Sequence, residues 1–206
     1  MVNISRLIFN EWENELPLSL VTKHSRRQFI QRLTHLSVFA AGLPVIIKTK
    51  SVRAADCSPD LIKTNEPWQT IIAVQNHLFP AGPKSPGAIE IKAAEYLQII
   101  LAAPDMDPEE CQFIINGPQR INALATEMYQ KKFIALEDGA REKVLRRIEK
   151  NMAGRNWLIS ILSYLFEALL SDPVYGGNPA GIGWQWLNHQ PGYPRPPQNK
   201  KYWMLK

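Results

Sequence analysis

The chain has 206 residues, 45% of them hydrophobic, which is enough for one domain with a core and too few for two domains of ordinary size. Its net charge is +5, but eight of the 24 Lys and Arg and only three of the 19 Asp and Glu lie in residues 1–54, so the remainder is balanced at 16 of each. A neutral body gives no reason to expect a polyanionic partner, which argues against nucleic-acid binding.

The basic amino-terminal segment contains a sequence typical of a protein export signal. SRRQFIQ (25–31) places two adjacent arginines ahead of an aromatic residue, and the moderately apolar run LTHLSVFAAGLPVII (33–47) follows. This order is that of a twin-arginine signal, whose determinants here are Arg26, Arg27 and Phe29. The sequence therefore predicts export to the periplasm by a translocase that carries proteins already folded.

Small residues at the end of this segment predict the processing site. Ala54, with Val52 two positions before it, favours cleavage between Ala54 and Ala55, so residues 1–54 are expected to be a signal peptide. The alternative is an uncleaved membrane anchor. It is less favoured because the apolar run of 15 residues is shorter than the roughly 20 that a spanning helix needs.

After residue 54 the chain offers few residues that bind metals or cofactors. His77, His189, Cys57 and Cys111 are too few and too dispersed for a haem attachment motif, an iron–sulfur cluster or a clustered metal site. The glycines of GIG (181–183) lack the third glycine and the preceding strand of a dinucleotide-binding motif. We therefore expect no metal and no cofactor in this chain.

The two cysteines leave three arrangements open. An oxidising compartment permits disulfide formation. A bridge between Cys57 and Cys111, a bridge from either one to a partner, and two free thiols are all compatible with their positions.

Hydrophobic periodicity of about 3.6 residues recurs five times between residues 65 and 171. Proline suited to the first turn opens the first helix after Glu66, and an Asp107 cap with Glu110 three positions on predicts a capping box at the third. Ile89 is expected to face inward in the second helix. The predicted helices are 68–79, 88–103, 107–132 with a kink near 117–118, 138–152 and 155–171.

The fifth predicted helix is apolar almost all round, so it is buried in the centre of the domain or covered by a partner. No alternating strand pattern competes with these helices. The fold class predicted is all-α, an irregular bundle of about five helices over residues 55–171.

The composition changes at residue 172. The last 35 residues contain five Gly, six Pro and six Trp or Tyr, which rules out long helices and supplies the aromatic surface common at protein interfaces. We expect residues 172–206 to be an irregular tail that binds a partner. The alternative is a tail that only wraps over its own bundle.

The tail also carries a recognisable motif. LSDPVYGGN (170–178), then GW (183–184) and PGY (191–193), resemble the signature of the gluconate 2-dehydrogenase subunit 3 family, and the resemblance extends over most of residues 68–196. The predicted partner interface follows this motif. Its residues are Asp172, Pro173, Tyr175, Gly176, Gly177, Asn178, Gly183, Trp184, Trp186, Pro191 and Tyr193.

Members of this family are small subunits of periplasmic flavin-dependent sugar and sugar-acid dehydrogenases. The resemblance implies that catalysis and FAD belong to a separate subunit, and that a multihaem cytochrome c subunit commonly receives the electrons. It implies a non-catalytic chain that assists the folding of the flavoprotein and carries it through the twin-arginine translocase. An intersubunit disulfide in some members would give Cys57 or Cys111 a role.

Two other functions are compatible with the sequence. An independent periplasmic enzyme would place Asp172, Asn178 or His189 at a small pocket formed by the tail. A membrane-tethered structural protein would retain an uncleaved amino-terminal helix. Turnover by the isolated chain favours the first of these, and the mass of the exported form tests the second.

Overall fold

The computed structural model describes residues 4–17, 20, 65–197 and 200–204. Over these ranges it has seven α-helices and no β-strand, which confirms the all-α prediction. The helices are α1 (Ile4–Asn14), α2 (Trp68–Leu78), α3 (Ala93–Leu101), α4 (Pro108–Tyr129), α5 (Asp138–Glu149), α6 (Met152–Leu170) and α7 (Ile182–Leu187). Four 3-10 turns lie at Phe133–Ala135, Pro173–Tyr175, Pro179–Gly181 and Tyr202–Met204.

Helix α6 occupies the centre of the bundle. It packs against every one of the other six helices, and its Trp157, Ile161 and Leu165 are buried. The side chain of Asn151 caps its first turn by accepting a hydrogen bond of 3.0 Å from the backbone N–H of Gly154. Of the two expectations for this apolar helix, central burial is therefore met on most of its circumference.

Helix α4 continues through Pro118 because α6 compensates for the missing donor. Proline has no N–H to give the carbonyl of Ile114 four residues earlier, and the indole Nε1 of Trp157 donates to that carbonyl oxygen at 3.0 Å instead. The ring fits because residue 117 is glycine: a β-carbon there would lie 2.0 Å from Trp157 Nε1. The Gly–Pro pair thus serves the contact between α4 and α6.

Three details of the predicted helices are wrong. Helix α3 begins at Ala93, because Lys92 before it has a left-handed backbone with φ of 55° and residues 88–92 form turns. Ile89, expected to face inward, is 62% exposed. In the first turn of α4, Asp107 accepts from Glu109 N as a cap, but Glu110 accepts from the hydroxyl of Tyr164 and does not complete a capping box.

Residues 4–17 pack onto the bundle. Trp12 of α1 is completely buried and belongs to the same core as Trp157, although the sequence assigned this segment to the signal peptide. Arg26, Arg27, Phe29, Ala54 and Ala55 lie outside the described residues, so the signal and its processing stay predictions.

Cys111 lies buried in the first turn of α4, and its sulfur is disulfide-bonded. Cys57 lies outside the described residues. The pairing of these two cysteines stays a prediction.

Candidate functional site

Asn178 fixes the path of the chain after α6. Its amide Nδ2 donates to the carbonyl of Ser171 at 3.0 Å and its Oδ1 accepts from the backbone N–H of Gly183 at 2.7 Å. Its own N–H donates to the carbonyl of Ile91 at 2.9 Å. Asparagine is one of the few residues that tolerate the left-handed backbone found here, with φ of 49°. This fully buried residue therefore joins the end of α6 and the start of α7 through its side chain, and the turn before α3 through its backbone.

The glycines of the tail are required by close packing. Gly176 has φ of 87°, a conformation that favours glycine. A β-carbon on Gly183 would lie 2.2 Å from the carbonyl oxygen of Leu169, so α7 sits directly on the last turn of α6. A β-carbon on Gly177 would lie 2.8 Å from the carbonyl oxygen of Ala168. These glycines face the protein interior and not a cleft for a ligand.

Asp172 and Trp184 form a second internal contact. Asp172 accepts from Val174 N at 3.1 Å and from Arg195 Nε at 2.9 Å. The buried indole of Trp184 donates to the carbonyl of Leu170 at 2.7 Å, and the Arg195 guanidinium lies 5.1 Å from the centre of its ring. Arg195 thus holds the distal tail against the motif by an ion pair and a cation–π contact.

Tyr175 is the third anchor of the tail. Its ring lies 6.1 Å from that of Tyr202 and 6.0 Å from that of Trp203, and its hydroxyl accepts from the backbone N–H of Tyr202 at 3.2 Å. The Tyr202 hydroxyl donates to Asp105 Oδ2 at 2.9 Å, which raises the pKa of Tyr202. The tail therefore folds back over its own bundle to residue 204.

The predicted interface residues are divided by these contacts. Trp186 and Tyr193 are 40% and 94% exposed and able to touch a partner directly. Pro173 and Pro191 are half-buried. The remaining members, which are bonded or packed within the chain, are Asp172, Tyr175, Gly176, Gly177, Asn178, Gly183 and Trp184. Whether the set contacts a partner stays a prediction.

A hollow of about 480 Å³ lies beside the motif and is lined by Pro173, Trp184, His189 and Arg195. The side chain of His189 makes no hydrogen bond within the described part of the chain, and the Asp172 carboxylate is bonded to Arg195. Asn178 has no free amide group to offer because both ends of its side chain are used. This geometry brings together no activated acid–base pair of the kind an independent enzyme would use.

The sequence predicted that α6 would be buried centrally or covered by a partner, but it did not locate the exposed apolar surface on this helix, which we call the bare face. Met152, Ile159, Phe166 and Leu170 recur at spacings of seven, seven and four residues, so they lie on one side of the helix. All four are between 44% and 53% exposed. The face runs the length of the helix, about 27 Å at 1.5 Å per residue. Its signal in the sequence was the same all-round apolarity that predicted burial.

Helix α7 packs on the carboxyl-terminal end of α6 and carries two further exposed apolar residues. Gly183 brings α7 against Leu169, and the exposed Trp186 and Leu187 follow it. The Trp186 ring meets Phe79, at the end of α2, edge-on with ring centres 6.0 Å apart. A cleft of about 220 Å³ borders Ile159 and is lined by Leu78, Leu145, Leu158 and Leu162 with Glu142, Arg146, Glu149 and Arg155.

Two tyrosine–carboxylate pairs lie on the opposite flank of α6. The Tyr96 hydroxyl donates to Glu167 at 3.1 Å, and that of Tyr164 donates to Glu110 at 2.8 Å. Burial and the adjacent carboxylates raise the pKa of both tyrosines, so both remain neutral donors. Burial also raises the pKa of Glu167.

Within the described ranges no three His, Cys, Asp or Glu side chains are grouped closely enough to hold a metal ion. In the same ranges, none of the helices combines the length and the apolarity needed to cross a bilayer.

Comparison with known protein families matches residues 65–192 to gluconate 2-dehydrogenase subunit 3. The chain belongs to the gluconate 2-dehydrogenase subunit 3 family. Membership confirms the resemblance inferred from DPVYGGN and GW, and makes this subunit 3 an accessory component of a dehydrogenase complex with a catalytic subunit. Searches of curated proteins and of solved structures found no match.

The matched region of this subunit 3 begins at residue 65 and ends at residue 192. It contains α2 to α7, and with them the bare face and the turn between α6 and α7 that Asn178 holds, which we call the Asn178 turn. Helix α1 lies before it. The candidate partner surface is therefore part of the family's module, and α1 is an additional element packed onto that module.

Proposed function

We propose that this subunit 3 is a non-catalytic escort for the FAD-dependent catalytic subunit of a sugar or sugar-acid dehydrogenase. It binds the folded flavoprotein in the cytoplasm, assists its folding and carries it through the twin-arginine translocase to the periplasm. FAD is held by the catalytic subunit, and a multihaem cytochrome c subunit accepts the electrons. The observation that carries the proposal is the bare face of α6, in a family whose members are dehydrogenase subunits.

The bare face has the properties of a permanent interface. Single exposed apolar residues are ordinary on protein surfaces, but contiguous patches along one element mark contact sites. Phe166 and Trp186 supply aromatic area of the kind that dominates binding energy. Arg146, Arg155 and Glu149 around the neighbouring cleft provide a charged rim.

The DPVYGGN motif contributes to this interface through shape. Its hydrogen bonds hold α7 on the end of α6, and α7 carries the exposed Trp186 and Leu187. Replacing Tyr175 or Trp184 would disturb the tail as well as any partner contact, because both are bonded within the chain. Trp186 and Tyr193 are the members of the predicted set that test direct contact.

The escort role is tested by separating the signal from the binding surface. In cells that produce both subunits, Arg26→Lys with Arg27→Lys should leave both proteins in the cytoplasm. Phe166→Asp should leave the catalytic subunit in the cytoplasm while this chain is still exported. Cell fractionation followed by immunoblotting measures both proteins.

Met128→Asp is the matched control, because Met128 is a similarly exposed apolar residue on α4, away from the bare face. In cells that produce the Met128→Asp variant, both subunits should reach the periplasm as they do with the unmodified chain. Export of the catalytic subunit that is unaffected by the paired lysine substitutions would refute the escort role.

A further inference from the structure

Helix α1 lies in a groove on the family module between α4 and α6. Trp12 is completely buried at the centre of the contact, with its ring centre 6.3 Å from that of Trp157 on α6. Ile8 is buried one turn before it, and Pro17 is buried after the helix ends. The contact is that of an amphipathic helix laid by its apolar side into a groove, with a tryptophan as its anchor.

Acidic residues of α1, and Glu15 directly after it, meet polar groups at the rim of the groove. Arg120 of α4 binds Glu11 at 2.7 Å through one guanidinium nitrogen and Glu15 through the other. The Arg120 side chain is only 11% exposed, whereas the two carboxylates that it binds are more open to solvent, Glu11 at 68% and Glu15 at 35%. On the α6 side of the groove, the amide of Asn151 donates a hydrogen bond to Glu13 at 2.5 Å. The groove thus selects an acidic helix by charge as well as by shape.

The groove exists only when α4 and α6 are packed together. Arg120 comes from α4, whereas Trp157 and Asn151 come from α6 and its cap. Trp157 itself reaches its position by donating to Ile114 of α4 beside Gly117. A chain in which these two helices have not assembled therefore has no site for α1.

We propose that the groove between α4 and α6 is a helix-binding site whose ligand is this chain's own α1, and that α1 stays bound when the chain is cut between α1 and α2. Three observations support it: α1 lies outside the family module, it contacts that module through a buried anchor, and its acids pair with Arg120. Helix α1 also precedes the twin-arginine sequence in the chain. If the proposed export function holds, folding of the module secures the segment leading into the signal to the folded protein.

The full chain tests this with a recognition sequence for a site-specific protease inserted between Val21 and Thr22. After cutting of the folded protein, the fragment that carries α1 should co-elute with the remainder in size-exclusion chromatography. Glu11→Gln with Glu15→Gln should increase the dissociation rate of the fragment about tenfold, the change that a loss of about 1.4 kcal/mol produces. Trp12→Ala should abolish co-elution.

Asn10→Ala is the control, because Asn10 is exposed on α1 and should leave the dissociation rate unchanged. A synthetic peptide of residues 4–20 should displace the cut fragment, and the same peptide with Trp12→Ala should not. Separation of the unmodified fragment on cutting overturns the inference, as does an equal effect of the Asn10 and glutamate substitutions. The glutamate variant keeps the test decisive if Trp12→Ala fails to fold.

The assay uses neither the translocase nor the catalytic subunit. Failure of fragment binding would leave the escort role standing, and failure of partner export would leave the groove standing.

Discussion

One side of α6 packs under α1, where Trp157 meets the buried Trp12, whereas the side that carries Met152, Ile159, Phe166 and Leu170 is open to solvent. Both sides are apolar, so hydropathy does not separate them. The difference is that the chain supplies a helix for the first side and nothing among its described residues covers the second. An all-round apolar helix can therefore be shared between its own fold and a second protein.

The largest expected effect is on the covered side. Trp12→Ala removes a fully buried aromatic side chain and should lower the free energy of unfolding by about 3–5 kcal/mol. On the bare face, Phe166→Ala should change it by no more than about 0.5 kcal/mol. Urea unfolding followed by circular dichroism compares them, and similar losses for both would end the distinction between the two sides.

The next largest effect concerns the turn held by Asn178, which places α7 on the end of α6. Asn178→Ala removes two side-chain hydrogen bonds and puts alanine at a left-handed backbone position. We expect a loss of about 2–4 kcal/mol in unfolding free energy. Hydrogen exchange should show the loss of protection concentrated in residues 172–187, with α4 and α6 still protected. Asn188→Ala, at an exposed left-handed position, is the control.

Partner affinity tests the open side directly. Ile159→Asp should weaken binding of the catalytic subunit tenfold to a hundredfold, about 1.4–2.8 kcal/mol, because it places a charge in an apolar contact. Isothermal calorimetry with the purified catalytic subunit measures the change, and unfolding checks that the fold is intact. Ile134→Asp, at a similarly exposed apolar residue in the turn after α4, should bind normally. Equal weakening by both variants would show that the bare face has no special role.

The smallest effect is a pH dependence on the flank of α6. Burial raises the pKa of Glu167, with the nearby Glu110 adding to the shift. The stabilising contribution of Glu167 is therefore complete below the pKa that this residue has in the unfolded chain. It is lost as pH rises through the higher pKa of Glu167 in the folded chain. Glu167→Gln should gain stability relative to the unmodified chain as pH increases from 4 to 7. A stability difference that is constant with pH would contradict this assignment.

Local rules recovered the helical segments because periodicity and terminal residues act over a few positions. The buried Val144, Leu145 and Ile148 recur at helical spacing in α5, inside the predicted range 138–152. The prediction for Ile89 was wrong because nothing local indicates the left-handed backbone at Lys92, which delays the start of the helix to Ala93. Glu110 does not complete the capping box because its carboxylate accepts a hydrogen bond from Tyr164, which lies 54 positions later.

The partner surface and the groove depend on contacts between distant segments, which a single sequence does not display. The amino-terminal residues were interpreted as a signal peptide, and the sequence contained no separate indication that Trp12 enters the core. Similarly, the Gly, Asn and Trp of the tail motif indicated an interface, while the structure shows that they also build the chain's own turn. Composition predicted an aromatic tail but not the direction in which its side chains point.

The Asn178 turn also orders events during synthesis. Its bonds reach back to Ile91, near the beginning of the module, and forward to Gly183, so they form only after nearly the whole chain has left the ribosome. Domains fold as their segments emerge, and contacts distant in sequence form last. Helices α2 to α6 can therefore assemble while translation continues, and α7 then completes the surface that we propose binds the catalytic subunit. A truncated product ending before residue 178 would have a bundle without this final contact, and would enter the cell as a folded but incomplete binding partner.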